Sequence, residues 1–124
     1  MKFIACLGAA SVAAATLIVA AAPTVAQTAP PPAFAACKAC HTVQKGGKNG
    51  VGPNLNGVAG RAAGSAPGFN YSAAMKASKL RWDDATLDQF IAAPTKKVPG
   101  TRMPIGMADP AKRAAIIAYL KGAQ

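Results

Sequence analysis

Cys37-Lys38-Ala39-Cys40-His41 is the stretch on which the reading of this chain turns. The two cysteines are three residues apart, and the histidine that follows at once is the only one in 124 residues. Residues three and four apart share a face of a helix, so both sulfurs and the imidazole face one object. The spacing is the C-x-x-C-H pattern of covalent c-type haem attachment. The sulfurs reach the two vinyl edges of one porphyrin, and His41 points a ring nitrogen at the iron. Other uses of such a pair fit less well. A zinc site needs a fourth ligand, commonly from a second Cys/His pair that the chain lacks. A thioredoxin-like motif belongs beside a βαβ alternation that the sequence does not have. A plain disulfide leaves His41 unexplained.

Upstream, Met1 to Ala26 has one basic residue, Lys2, then an apolar run that ends in Thr24-Val25-Ala26. This is the layout of a cleavable secretory signal, so residues 1–26 are expected to be removed, Cys6 with them. Residues 27–32 then form a stiff Pro-rich linker, and residues 33–124 one small domain. Removing Lys2 from the 14 basic side chains leaves 13 against 4 acidic ones, a formal charge of +9. A domain of about 100 residues buries only about 60–70% of its unfolded surface and tends to need a crosslink, metal or cofactor. Alanine and glycine outnumber the large aliphatic side chains here, so something other than peptide is expected in the middle.

Downstream, the periodicities give an all-α, loop-rich fold of about four helices. A short helix is expected from about Pro32 to Ala39, with Phe34 and Cys37 on one side. Lys45 to Asn70 is a long Gly-, Asn- and Pro-rich stretch without sustained period, unusual unless functional, and wrapping a flat cofactor is such a function. Tyr71 to Ala77 is one turn or two. Asp83 or Asp84 caps a helix that runs to about Ala92, with Leu87, Phe90 and Ile91 as its apolar stripe and Pro94 barring continuation. Asp109 and Pro110 start the last helix, which ends near Gly122 and turns Ile116, Ile117 and Leu120 inward.

With His41 on one side of an iron, the candidates for the other are Met75, Met103, Met107 or water. Met103 sits in Val98-Pro99-Gly100-Thr101-Arg102-Met103-Pro104, where two prolines and a glycine fix a helix-free backbone able to hold a thioether against a metal. Gap-filling in a core is the ordinary role of methionine. That role is favoured for Met75, and for Met107 the two roles are evenly balanced.

From Cys37 to Met103 the chain resembles the class I cytochromes c, close to the mitochondrial type and the bacterial cytochromes c2. The resemblance is carried by Cys37-Lys-Ala-Cys-His41-Thr-Val, Lys45-Gly-Gly-Lys48, Gly52-Pro-Asn-Leu-Asn-Gly57, Gly60-Arg61, Ala66-Pro-Gly-Phe-Asn-Tyr71, Trp82 and Pro99-Gly-Thr-Arg-Met103. It implies a cytochrome c fold around one covalently attached haem c, with His41 and Met103 as axial ligands, the pair that raises the potential of electron-transfer haems. It implies that Pro53 accepts a hydrogen bond from the His41 ring through its carbonyl. It also implies that Arg61, Tyr71 and Trp82 hold buried propionates, with Thr101 bonded near the inner one. Three positions depart from the mitochondrial pattern. Phe90 replaces a tyrosine whose hydroxyl approaches the methionine sulfur, Met75 replaces an asparagine of a polar network, and Ile105 replaces an aromatic residue beside the haem edge.

The function implied is that of a soluble electron carrier, monomeric and periplasmic in a bacterium. It would shuttle single electrons from the cytochrome bc1 complex, the quinol–cytochrome c reductase, to a terminal oxidase or photosynthetic reaction centre. Both axial positions filled by protein leave no vacant site for substrate, and the single histidine is committed to iron, so no enzyme activity is expected. Lys38, Lys45, Lys48, Lys96, Lys97 and Arg102 flank the haem-motif segments and are expected to steer the carrier to acidic docking faces. Aromatics are scarce and the leader directs export, so nucleic acid is not an expected partner. Stable membrane insertion is not expected either. The rival readings are a haem gas sensor or weak peroxidase with a labile Met103, and a carrier tethered by a retained leader.

Overall fold

The structure, a computed structural model, describes residue 20 and residues 28–123. The expected leader, residues 1–26, lies outside the described residues except for Ala20. A 3-10 turn at Pro32–Phe34 leads into α1, Ala35–Lys38; then come α2, Ala73–Ala77, α3, Asp84–Ala92, α4, Pro94–Lys97, and α5, Pro110–Gly122. Among the described residues there is no strand. A single antiparallel bridge, Ala62 to Arg81, stands alone.

The helix starts follow the capping chemistry of the sequence. Ser72 Oγ accepts from Met75 N–H at 3.1 Å at the head of α2. At the head of α3 it is Asp83, not Asp84, whose Oδ1 accepts from Thr86 N–H at 2.7 Å. Asp109 Oδ1 accepts from Ala111 and Lys112 N–H at 2.9 and 3.2 Å at the head of α5, where Pro110 needs no donor partner. The expected four helices are present, and α4 is an addition. Pro94 does bar the continuation of α3, but its fixed φ also suits the first position of a new helix, and that role is realised here.

α3 and α5 pack on each other, and the 3-10 turn packs against α5. Phe34 is fully buried there, edge-on to Tyr119 with ring centroids 4.7 Å apart, which contributes roughly 1.5–3 kcal/mol through its burial. Ile116, Leu120, Leu87 and Ile91 continue the same core. Trp82, just before α3, meets Phe90 at 4.9 Å.

The long segment 45–70 is ordered by side-chain amides in place of helix or sheet. Asn54 Nδ2 donates to Thr42 Oγ1 at 2.7 Å and to Gln44 O at 3.0 Å, while Asn49 Oδ1 accepts from Asn54 N–H at 2.8 Å. Asn49 Nδ2 also reaches Pro67 O at 3.0 Å. Such amides satisfy backbone groups that regular structure would otherwise satisfy. Gly52 N–H to Cys40 O, 2.9 Å, and Leu55 N–H to Thr42 O, 2.8 Å, lay this segment alongside the cysteine motif.

Candidate haem site

One cavity of about 240 Å³ opens among these elements, and the segments singled out in the sequence converge on it. α1 and the residues after it supply Cys37, Cys40 and His41, the amide-ordered segment supplies Gly52, Pro53, Leu55 and Val58, and α3 and α5 supply Leu87, Phe90, Ile91, Ile116 and Leu120. The helix-free stretch after α4 supplies Thr101, Arg102 and Met103. The walls are therefore mainly apolar, with a few polar groups at chosen points.

His41 is fixed on its Nδ1 side. That nitrogen lies 2.7 Å from Pro53 O, and a carbonyl only accepts, so Nδ1 carries the proton and donates. The neutral ring then keeps the lone pair of Nε2 for a metal, the usual way a carbonyl sets a histidine tautomer. Gly52 makes this placement possible. A Cβ built on Gly52 falls 2.6 Å from His41 Nδ1 and closer still to Cε1, so only glycine lets the backbone pass the ring.

Cys37 and Cys40 are free thiols at the cavity wall, linked by the turn in which Cys40 N–H and His41 N–H both donate to Cys37 O at 3.1 and 2.9 Å. Burial pushes the Cys37 thiol above its ordinary pKa. Three thioethers border the same cavity. Met75 is buried on α2, whereas Met103 and Met107 are partly buried and pack on the core.

Arg61 is the most informative polar group. Its Nη1 donates to Asn56 O at 2.9 Å and Nη2 to Asn54 O at 3.3 Å, but the buried Nε–H has no acceptor. A buried guanidinium donor without an acceptor marks the place of an anion. Tyr71 borders the cavity too; its hydroxyl oxygen accepts from Ala66 N–H at 3.1 Å, so its O–H remains to donate. Thr101 Oγ1 accepts from Met103 N–H at 3.3 Å, and Trp82 is buried at the wall. Two thiols, a free imidazole lone pair, thioethers, an apolar interior and an orphaned cationic N–H together fit a haem with its carboxylate edge.

The charged residues expected at a docking face are also placed. Lys38, Lys45, Lys48, Lys96 and Arg102 are exposed, and Lys97 is partly so. Two of them have partners within the chain: Lys97 Nζ to Gln89 Oε1 at 2.6 Å and Arg102 Nη1 to Asn70 O at 2.8 Å. No acidic residue precedes Asp83, so the entire cysteine-bearing half of the chain is basic or neutral. Val51 and Ile105, both bordering the cavity, are 82% and 67% exposed and give its mouth an apolar lip. Sequence reasoning assigns no individual role to Gly52 or Arg113. A glycine directly before the proline that receives the His41 bond was the available signal for the first.

Residues 32–124 match the family model described as cytochrome c. The chain is 57% identical over 88 residues to cytochrome c2 of Rhodoblastus acidophilus, a match covering 70% of this chain and 82% of that protein. It is 51% identical over 96 residues to cytochrome c2 iso-1 of Magnetospirillum molischianum, covering 75% of this chain and 95% of that one. Among solved structures it is similar to cytochrome cH from Methylobacterium extorquens, with a TM-score of 0.67 at 56% identity over 72% of this chain and 90% of that chain.

Proposed function

The chain belongs to the cytochrome c family, whose members hold covalent haem c and carry electrons, and we propose that it shuttles single electrons in the periplasm between membrane complexes. In this reading Cys37 and Cys40 would hold the haem as thioethers, and His41 and Met103 would ligate its iron. When bound, the haem supplies an iron that alternates between ferrous and ferric states. The chain's part is to hold that iron's surroundings constant. Pro53 O fixes the His41 ring, the loop 98–104 presents Met103, and Arg61, Tyr71, Trp82 and Thr101 hold the propionate edge. Apolar walls from α3 and α5 keep water out.

The observation that carries the reading is the 2.7 Å contact of His41 Nδ1 with Pro53 O, in a cavity that both cysteines and Met103 also border. It makes the only histidine a ready ligand beside two thiols. A chain with all its ligand positions filled from within is a carrier rather than an enzyme, as in the cytochromes c2 that it resembles.

The finer assignments rest on the resemblance to the cytochromes c2 and on the pattern of residues 1–32. Donor and acceptor are a cytochrome bc1 complex and a terminal oxidase or photosynthetic reaction centre. They are met by a monomer whose Lys38, Lys45, Lys48, Lys96, Lys97 and Arg102 face their acidic surfaces in brief, salt-sensitive encounters. Residues 1–26 act as the export leader and are cleaved, and residues 27–32 link the new N-terminus to the domain. Among the described residues, no helix is long and apolar enough to cross a membrane.

The deciding experiment is the spectrum of the oxidised protein. A long-wavelength sulfur-to-iron charge-transfer band is expected, and Met103→Ala abolishes it while the haem stays on the chain in a denaturing gel. A band that survives Met103→Ala assigns the ligand to another thioether, and a colourless chain on that gel removes the haem reading altogether.

A further inference from the structure

The loop that carries Met103 runs from Val98 to the α5 cap at Asp109, and its two ends are held differently. At the entry, Val98 N–H donates to Pro94 O at 2.9 Å, Thr101 N–H donates to Val98 O at 3.0 Å, and Arg102 reaches Asn70 O. At the exit, one side chain gathers three segments. Arg113, on the first half of α5, donates from Nε to Asp88 Oδ1 at 2.7 Å, and from Nη1 to Met107 O at 3.0 Å and Ala108 O at 2.6 Å. Beside it, Met107 N–H donates to Ile91 O at 2.8 Å. The Arg113 side chain is only 11% exposed, in contrast to the surface pair Lys121–Asp84 at 52% and 64%.

A bridge from α5 to α3 needs only Asp88. The two carbonyls that Arg113 also takes belong to neither helix but to the exit of the methionine loop, so this guanidinium ties loop position to helix packing. The arginine fork serves these acceptors from separate nitrogens, Nε and Nη1, where a lysine would have to gather all of them on one ammonium. Met103 lies four residues before Met107, at most ~14 Å of extended chain. A fixed residue 107 therefore restricts where the Met103 sulfur can go.

We propose that Arg113 is a positioning residue for the thioether ligand. By pinning Met107 and Ala108 against α3 and α5, it holds the Met103 sulfur on the iron and sets how readily an outside ligand displaces it. This rests on the reading of Met103 as the axial ligand. An outside ligand binds only the fraction of molecules whose loop has opened, so its apparent affinity rises in proportion to that fraction.

The test titrates the oxidised haem-loaded protein with imidazole and follows the loss of the sulfur-to-iron band. Arg113→Met is expected to bind imidazole at least tenfold more tightly, because hydrogen bonds made by a buried charged group are lost from the closed form only. Arg113→Lys falls between it and the parent chain, and Asp88→Asn, which leaves the guanidinium without its anion, tightens imidazole severalfold. Ile117→Val, buried on α5 but not at the cavity, serves as the stability reference, with urea midpoints measured for all variants. It is expected to leave imidazole affinity unchanged. Should Arg113→Met not mature, Arg113→Lys and Asp88→Asn carry the comparison. Variants within twofold of Ile117→Val overturn the proposal. A parent protein without the band overturns the Met103 reading instead, so the two failures are distinct.

Discussion

Replacing Gly52 by alanine puts a methyl group where the His41 ring lies. The added carbon falls 2.6 Å from Nδ1 and 2.8 Å from Nε2, well inside van der Waals contact, and the atoms it meets belong to a ring that is not free to retreat. Nδ1 is held by Pro53 O at 2.7 Å, and the Gly52 backbone is itself held by Cys40 O and Gly50 N–H, each at 2.9 Å. Overpacking of this kind costs about 1–3 kcal/mol. If the ring gives way, the bond to Pro53 is lost as well, at a further cost of about 1–2 kcal/mol. A loss of about 2–5 kcal/mol, at a urea slope of about 1.5 kcal/mol per molar, lowers the unfolding midpoint of the haem-loaded protein by more than about 1 M. The ferric spectrum should shift with it, because the imidazole plane turns. Gly46→Ala is the control. Gly46 sits at φ +71° with nothing within 4 Å of its would-be Cβ, so alanine there meets only the left-handed backbone cost of about 1 kcal/mol. The reasoning fails if Gly52→Ala unfolds at the same urea concentration as Gly46→Ala with an unaltered spectrum.

Two further expectations concern the scaffold. Lys79 holds φ 53°, the one non-glycine residue at positive φ among those described, so Lys79→Gly should raise the thermal midpoint, the net gain being about 0.5 kcal/mol after glycine's greater freedom when unfolded is subtracted. The second is a pH effect at the head of α3. The hydrogen bonds from Thr86, aided by the charge of Lys97, hold the Asp83 carboxyl below its ordinary pKa. A depressed folded pKa means stability that is complete above the unfolded carboxylate value near 3.9 and is lost as pH falls through the lower folded value. The stability advantage of the parent over Asp83→Asn, measured by urea unfolding, should thus be constant above about pH 5 and shrink steadily in more acid solution; an advantage that grew on acidification would contradict the assignment.

Much of this architecture was legible in the chain because its signals are local. Asp83 and Asp109 are side chains that cap from where they stand, and Cys37, Cys40 and His41 act within one turn; Ser72 caps in the same way, although the periodicity alone places the start of its helix at Tyr71. Pro94 reads in the sequence as a stop, and so it is, but a proline that ends one helix and starts the next leaves the same local trace. The long segment 45–70 was seen to be aperiodic, but its order comes from Asn54 and Asn49 meeting backbone groups far along the chain, which no periodicity reports. Arg61 was expected at a propionate, and only the fold revealed the uneven satisfaction of its guanidinium, two nitrogens bonded and Nε left over. Arg113 carried no motif at all. Its partners lie 25 residues upstream in Asp88 and at the exit of a loop, and only tertiary packing brings them together.

The four aspartates described above make the electrical character of this molecule easier to adjust in one direction than in the other. Asp83 and Asp109 start helices, Asp88 anchors the Arg113 junction, and only Asp84 stands in an open surface pair. Deleting a carboxylate to make the protein more cationic therefore disturbs structure at three sites out of four, whereas neutralising exposed Lys38, Lys45 or Lys48 does not. Drift among descendants of this sequence, or deliberate redesign, can dilute its positive character freely and can intensify it only by losing Asp84 or by adding new cations.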